Sequence, residues 1–418
     1  MHCFDEVARQ TFPAFDFRYF CFAVILYTYN KFTTFADQCR MAFQRLPFID
    51  ILRGIACIWM IETHAVNAFL DAAFMNSPWF TFLKVSNGFV AVTFIFCAGA
   101  GFRLALEAKM SDYLSFEKPL WVYIRRLLFI LAIGYSLQPP SFSLAKMLDF
   151  TPAQWITFLD CNVLQLIVAS SFLALIGLLA IRSMSGFIVF SWLMVTAIFL
   201  GTPLVWSLNP EVLSAIPTFF RMYVSTQPQV SFPLFPWAGY YFAGCLATHY
   251  FITAPSLRNR AFQYVVFAPL LIGIVYLSSR ISWTYYDPML NWWLVSPMHM
   301  LFRVGGALFL FGGLYLFQER LKGPVSNMLA LNGKESLVVY VGQGIIIYGA
   351  GMQAILRLFL PDHPAPLHIA ILTIAVIGFM YGYAYAWNRY KKSMPKHAEW
   401  TLRICMIIYL LTFLFNPH

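Results

Sequence analysis

Eleven apolar runs, each long enough to cross a bilayer, leave this 418-residue chain one class of architecture. They fall at about 51–70, 88–107, 121–138, 161–181, 186–205, 232–252, 262–280, 298–317, 335–357, 367–387 and 401–416. Lipid offers no partner to an unpaired backbone amide, so spans of this length have to be helices. The expected fold is all-α, a polytopic helical bundle of about eleven transmembrane helices. With 60% hydrophobic and 11% charged residues, a soluble domain is excluded.

No linker or internal repeat divides the chain, and the longest connections are those at about 139–160 and 206–231. A single membrane domain over residues 45–418 is expected. Residues 1–44 stand apart, because their apolar stretch at about 19–28 is short for a span and is flanked by Arg18 and Lys31. That segment reads either as an over-long start ahead of Met41 or as a weak extra apolar segment.

A net charge of +10 raises the question of a nucleic-acid partner, but the Lys and Arg residues fall in alternate connections instead of forming one basic patch. One set carries Arg40, Arg45, Arg103, Lys109, Lys118, Arg125, Arg126, Arg182, Arg258, Arg260, Arg320, Lys322, Lys334, Arg389, Lys391, Lys392 and Lys396. The other holds little beyond Lys84, Lys146, Arg221, Arg280 and Arg357. The positive-inside rule assigns the first set to the cytoplasm, which puts Arg53 at the cytoplasmic rim and His64 in the outer half. No nucleic-acid partner is expected; the partner is the lipid bilayer. The eight cysteines are scattered and never form a CxxC pair, so neither a disulfide framework nor a metal site is indicated.

Inside the first run, Arg53 and His64 lie on one stripe of the helix. At about 100° and 1.5 Å per residue, eleven residues close to within roughly 20° and span about 16 Å. Ionisable groups at this depth are costly, which makes the pair a functional-site candidate, although an imidazole hydrogen-bonded between helices is the plainer role. Glu62 points elsewhere and is expected to pair with another helix. Asp50, three residues before Arg53, is spaced for an ion pair with it. Asp71 returns to the His64 stripe near the outer water, as a cap or an acceptor contact.

Several segments share an order with a known family. Arg45-x-x-x-Ile49-Asp50-x-Leu52-Arg53-Gly54-Ile-Ala followed by His64 resembles the opening of the heparan-alpha-glucosaminide N-acetyltransferase catalytic family, within a superfamily that includes the type three transmembrane acyltransferases. Phe94-Ile-Phe-Cys-Ala-Gly99, Arg125-Arg126, Asp160-Cys-Asn-Val-Leu-Gln165 and Phe232-Pro-Leu-Phe-Pro-Trp237-x-Gly239-Tyr-x-x-x-Gly244 resemble its later segments, as does Asn332-Gly-Lys-Glu-Ser336-Leu-x-x-Tyr340. Two features depart from the pattern. The last segment usually continues to a histidine, where this chain has Gln343, a side chain that hydrogen-bonds but carries no proton. The run at 401–416 is surplus to a ten-helix core.

The resemblance implies acyl transfer from a cytosolic acyl-CoA, acetyl-CoA on family grounds, to an amino sugar or other glycan on the far side of the membrane. His64 is then the catalytic group, as general base or as covalent carrier of the acyl group. Arg53, with Arg125 and Arg126, suits a coenzyme phosphate. Asp160, Gln165, Trp237 and Arg303 are the candidate acceptor contacts, each with a duller role as helix cap, interfacial aromatic or snorkelling cation. The expected location is a bacterial cytoplasmic membrane, and assembly with like chains stays open. Two alternatives remain, an O-acyltransferase of cell-envelope polysaccharide and a transporter of glycans or lipids, which broken helices at matching places in two halves would favour.

Overall fold

The computed structural model describes residues 46–139, 141–226, 230–278 and 295–416. Segment 1–44 and Arg45 lie outside the described residues, and every helix below belongs to one compact unit, Pro47–His418. All regular elements among the described residues are helical. The principal ones are α1 (Pro47–Phe69), α2 (Pro78–Leu114), α3 (Lys118–Ser136), α4 (Val163–Ile181), α5 (Met184–Trp206), α6 (Leu234–Ile252), α7 (Leu257–Ser278) and α8 (Pro297–Phe317). They continue as α9 (Pro324–Lys334), α10 (Ser336–Tyr348), α11 (Ala350–Leu358), α12 (Pro366–Ser393) and α13 (Pro395–Phe415). Short helices at Leu144–Leu148, Pro152–Phe158, Pro210–Ser214 and Thr218–Val224 fill the connections.

Proline opens most of these helices because a first-turn residue has no intrahelical use for its N–H. Pro78, Pro119, Pro297, Pro324, Pro366 and Pro395 all stand in a first turn. Glycine sets where the helices touch. On α1, a methyl group at Gly54 would overlap the Leu329 carbonyl of α9, and one at Gly333 would overlap the Asp50 carbonyl in return. Gly99 of α2 and Gly244 of α6 cross in the same reciprocal way, against the carbonyls of Tyr241 and Phe96. Lipid tails are as apolar as the helices, so such close backbone contact, not hydrophobic exclusion, is what holds membrane helices together.

Seven described helices are long and apolar enough to cross a membrane: α2, α3, α4, α5, α8, α12 and α13, or eight if the α10–α11 pair, bent by 65°, counts as one span. Of the other expected runs, those at 51–70 and 232–252 form α1 and α6, which are long but carry more polar or charged residues, and α7 covers most of the run at 262–280. Burial explains α1 and α6. α1 packs against α2, α8, α9, α10 and α12, and α6 against α2, α4, α5 and α8, so neither depends on an apolar surface toward lipid. At the other extreme, α13 buries only Ala398. It is tied down at its far end, where the Tyr409 hydroxyl donates to the Ser136 carbonyl (2.5 Å) and the Asn416 amide to that of Phe142 (2.6 Å).

Candidate active site

Four helices, α1, α3, α4 and α10, line both of two cavities placed end to end, and α2 closes the first. Each helix contributes a stripe at helical spacing, and the stripe passes from one cavity into the next. Along α3, Pro119, Val122, Tyr123, Arg126 and Ile130 line the first, and Gly134 and Gln138 the second, just beyond the helix end. Along α10, Ser336 and Leu337 line the first and Gln343, Gly344 and Tyr348 the second. α1 gives Arg53 to one and His64 to the other, as their shared face requires. Leu164 of α4 and Tyr340 of α10 belong to both.

The two ends differ in chemistry. The first cavity, about 350 Å³, carries three cations, Arg53, Lys109 and Arg126, above a largely apolar throat of Phe94, Ala98, Phe102 and Leu127. α2 supplies Lys109 because it runs 37 residues, about 55 Å at the helical rise, and extends past its apolar stretch into a charged end. The second cavity, about 420 Å³, is lined by His64 and the side-chain amides of Gln138, Asn162, Gln165 and Gln343. Both volumes lie in the range of small-molecule sites.

His64 is fixed by two neighbours on α10. Its Nδ1 lies 2.8 Å from Gln343 Oε1, and its ring meets that of Tyr348 edge-on with centroids 5.3 Å apart. An apolar cluster behind these groups, with Ile61 and Ala65 of α1 against Val339 and Ile347 of α10 and Val376 and Met380 of α12, holds the helices in register. Backbone irregularity follows at Gly349, where α10 gives way to α11. Gly349 lines the second cavity, the kind of place where a broken helix is tolerated at membrane depth.

Gln165 is fully buried, and Gly134 opposite leaves just enough room for it, since a methyl there would come within 3.0 Å of the amide. Its Nε2 donates to Gln138 Oε1, and Gln138 Nε2 donates to the Asp160 carbonyl (2.9 Å). Gln165 Oε1 has no hydrogen-bond partner among the described residues. A buried acceptor of this kind beside a cavity is a ready site for a hydroxyl or amine donor.

The other residues singled out in the sequence lie elsewhere. Arg125 is exposed and lines neither cavity, although its neighbour Arg126 lines the first. Asp160 binds the 231 loop, accepting from the Ser231 amide (3.0 Å) and hydroxyl (2.6 Å). Arg303 and Trp237 come together, with the guanidinium 5.7 Å from the ring centroid, and neither lines the two cavities. Glu62 accepts from Asn87 on α2. Asp71 caps the short 3₁₀ turn Ala72–Phe74 and pairs with His363 (2.6 Å). The Ala73 amide first and His363 second hold its carboxyl below the usual carboxylate range.

Reading by charge missed Lys109 as a site residue and missed Gln138 and Tyr348 altogether. It counted Arg103 among loop cations, whereas that side chain is buried, paired with Glu107 (2.5 Å) and donating to His249 Nδ1 (2.9 Å). The available signal for the second cavity was the recurrence of side-chain amides on otherwise apolar helices.

Residues 45–287 match the family model described as heparan-alpha-glucosaminide N-acetyltransferase, catalytic. The matched stretch contains Arg53, Lys109, Arg126, His64, Gln138 and Gln165 and stops before α8 and α10. No curated protein matches the chain in sequence.

Proposed function

Because the chain belongs to the heparan-alpha-glucosaminide N-acetyltransferase catalytic family, as its match over residues 45–287 shows, we propose that it moves an acetyl group from acyl-CoA in the basic cavity to a glycan acceptor in the amide-lined one. The family makes the chain an acetyltransferase, and its apolar helices make it an integral, multi-pass membrane protein. What supports the finer reading is the shared wall: Leu164 and Tyr340 line both cavities, so a donor and an acceptor entering from opposite ends would meet there.

In this reading Arg53, Lys109 and Arg126 hold the coenzyme's phosphates, which charge-assisted hydrogen bonds favour strongly. The pantetheine arm follows the apolar throat and brings the thioester carbonyl to the junction. On the far side, Gln165 Oε1 accepts from the acceptor sugar, and His64 Nε2 takes a proton from the attacking amine or hydroxyl as its lone pair closes on the carbonyl carbon. The C–S bond breaks and the coenzyme leaves as its thiolate. An imidazole at this position also has the lone pair needed to take the acyl group itself and pass it on. The basic cavity then faces the cytoplasm, in keeping with the loop charges.

The test is transfer by membranes of defined orientation. Inverted vesicles given labelled acetyl-CoA outside should accumulate label on a glucosamine-containing acceptor trapped inside, and His64→Ala should abolish it. Label appearing only on acceptor in the compartment that holds the acetyl-CoA would overturn transfer across the membrane.

A further inference from the structure

Gln343 makes two hydrogen bonds that together leave its amide only one orientation. Its Nε2 donates to the Tyr340 carbonyl, one turn back on α10, at 3.1 Å. A carbonyl oxygen cannot donate, so the amide nitrogen has to face Tyr340, and Oε1 has to face His64 at 2.8 Å. An amide oxygen likewise only accepts. The proton in that contact therefore belongs to His64 Nδ1, and the neutral ring carries its lone pair on Nε2.

We infer that Gln343 is a positioning residue that sets the tautomer of His64, holding the proton on Nδ1 and presenting Nε2 to the acyl-transfer site. The inference rests on the reading of the two cavities given above. It explains how one histidine can serve in a spanning helix where, among the described residues, an amide and not a carboxylate orients it. When Nε2 takes a proton from the acceptor, or forms a bond to the acyl carbon, the ring becomes cationic, and Gln343 Oε1 stabilises that charge through the same hydrogen bond without taking the proton. The Tyr340 carbonyl gives the amide its direction. Because Tyr340 is also part of the wall between the cavities, the setting of the histidine is tied to the junction where the thioester arrives.

Two variants separate positioning from packing. In Gln343→Glu, a carboxylate oxygen can accept from Nδ1 as the amide oxygen does, though nothing then donates to the Tyr340 carbonyl, and His64 should keep its proton on Nδ1. In Gln343→Met, which keeps the length but removes the acceptor, transfer should fall about 10–100-fold, as when an orienting partner of a functional histidine is lost. Acetyl-CoA affinity should be unchanged in both. The tautomer is read directly, by nitrogen-15 NMR of the histidine-labelled full chain, with His64 assigned by the signal missing in His64→Ala. The expected spectrum has His64 protonated on Nδ1 and bare on Nε2 in the native chain, and a mixture in Gln343→Met. A native His64 protonated on Nε2 overturns the inference, as does a Gln343→Met chain with native transfer. A native chain with the expected tautomer that transfers no acyl group upholds the tautomer assignment and overturns the acyl-transfer reading instead.

Discussion

The two cavities share a wall and four helices, yet one is basic and the other is uncharged. Arg53, Lys109 and Arg126 come from α1, the far end of α2 and the start of α3, where the helices leave the apolar layer and cations are cheap to keep. Gln138, Asn162, Gln165 and Gln343 ring the second cavity, where amides hydrogen-bond one another and the chain around them. A site that must attract a polyphosphate needs charge, whereas a site that must hold a neutral or weakly basic sugar beside a histidine needs direction. The difference teaches that two joined cavities can change their chemistry at a single pair of side chains, here Leu164 and Tyr340.

The comparison is broken most severely at the histidine. His64→Ala should lower transfer by about 10²–10⁴-fold, the usual contribution of a positioned acid–base group, while acetyl-CoA binding stays close to native; single-turnover assays and calorimetry separate the two. At the wall itself, Leu164→Trp should fill the junction and cut transfer by about 10-fold or more without changing coenzyme affinity beyond about 3-fold, as expected when reacting atoms are displaced by an ångström or so. Equal losses in both quantities would mean that the cavities are not joined there.

In the amide-lined end, Gln165→Leu should raise the acceptor KM by about 5–10-fold, the order of about 1–1.5 kcal/mol for one lost hydrogen bond, and leave coenzyme affinity alone. The smallest effect belongs to Asp71, outside both cavities. Asp71→Asn should leave transfer intact and slightly lower thermal stability at neutral pH. Since the carboxyl is held below its ordinary value when folded, its contribution is present in full above that ordinary value and is lost as the pH falls through the folded one. Melting curves of native and variant chains should therefore converge on acidification, and a gap that widens instead would contradict the assignment.

The basic end was legible in part: charge in an apolar chain drew attention to Arg53 and Arg126, but also to Arg125, which lines neither cavity, and it passed over Lys109 as a loop cation. Arg53 and His64 could be placed on one stripe from spacing alone, and the structure sends that stripe into both cavities. The amide-lined end was legible only in fragments. Gln138 follows the end of α3, Gln165 lies on α4 and Gln343 on α10, and only three-dimensional packing brings them to one place. Gln343 illustrates the difficulty: in the sequence it is a departure from a family pattern, and in the fold it is the direct partner of His64. The motif glycines were visible as well, but their use was not. Gly54, Gly99, Gly244 and Gly333 turn out to be the reciprocal contacts at two helix crossings. The number of spans was the least secure reading, because α1 and α6 carry more polar or charged residues than a lipid-facing helix does and are packed among other helices instead.

The most direct measurement is acetyl-CoA binding to the purified full chain in detergent, by calorimetry, for the native protein and for Arg53→Ala and His64→Ala. The account predicts that loss of Arg53 weakens binding by about 10-fold or more, the value of a charge-assisted phosphate contact, and that loss of His64 leaves it nearly unchanged. No binding by the folded native chain, or binding that depends on His64 and not on Arg53, would contradict it.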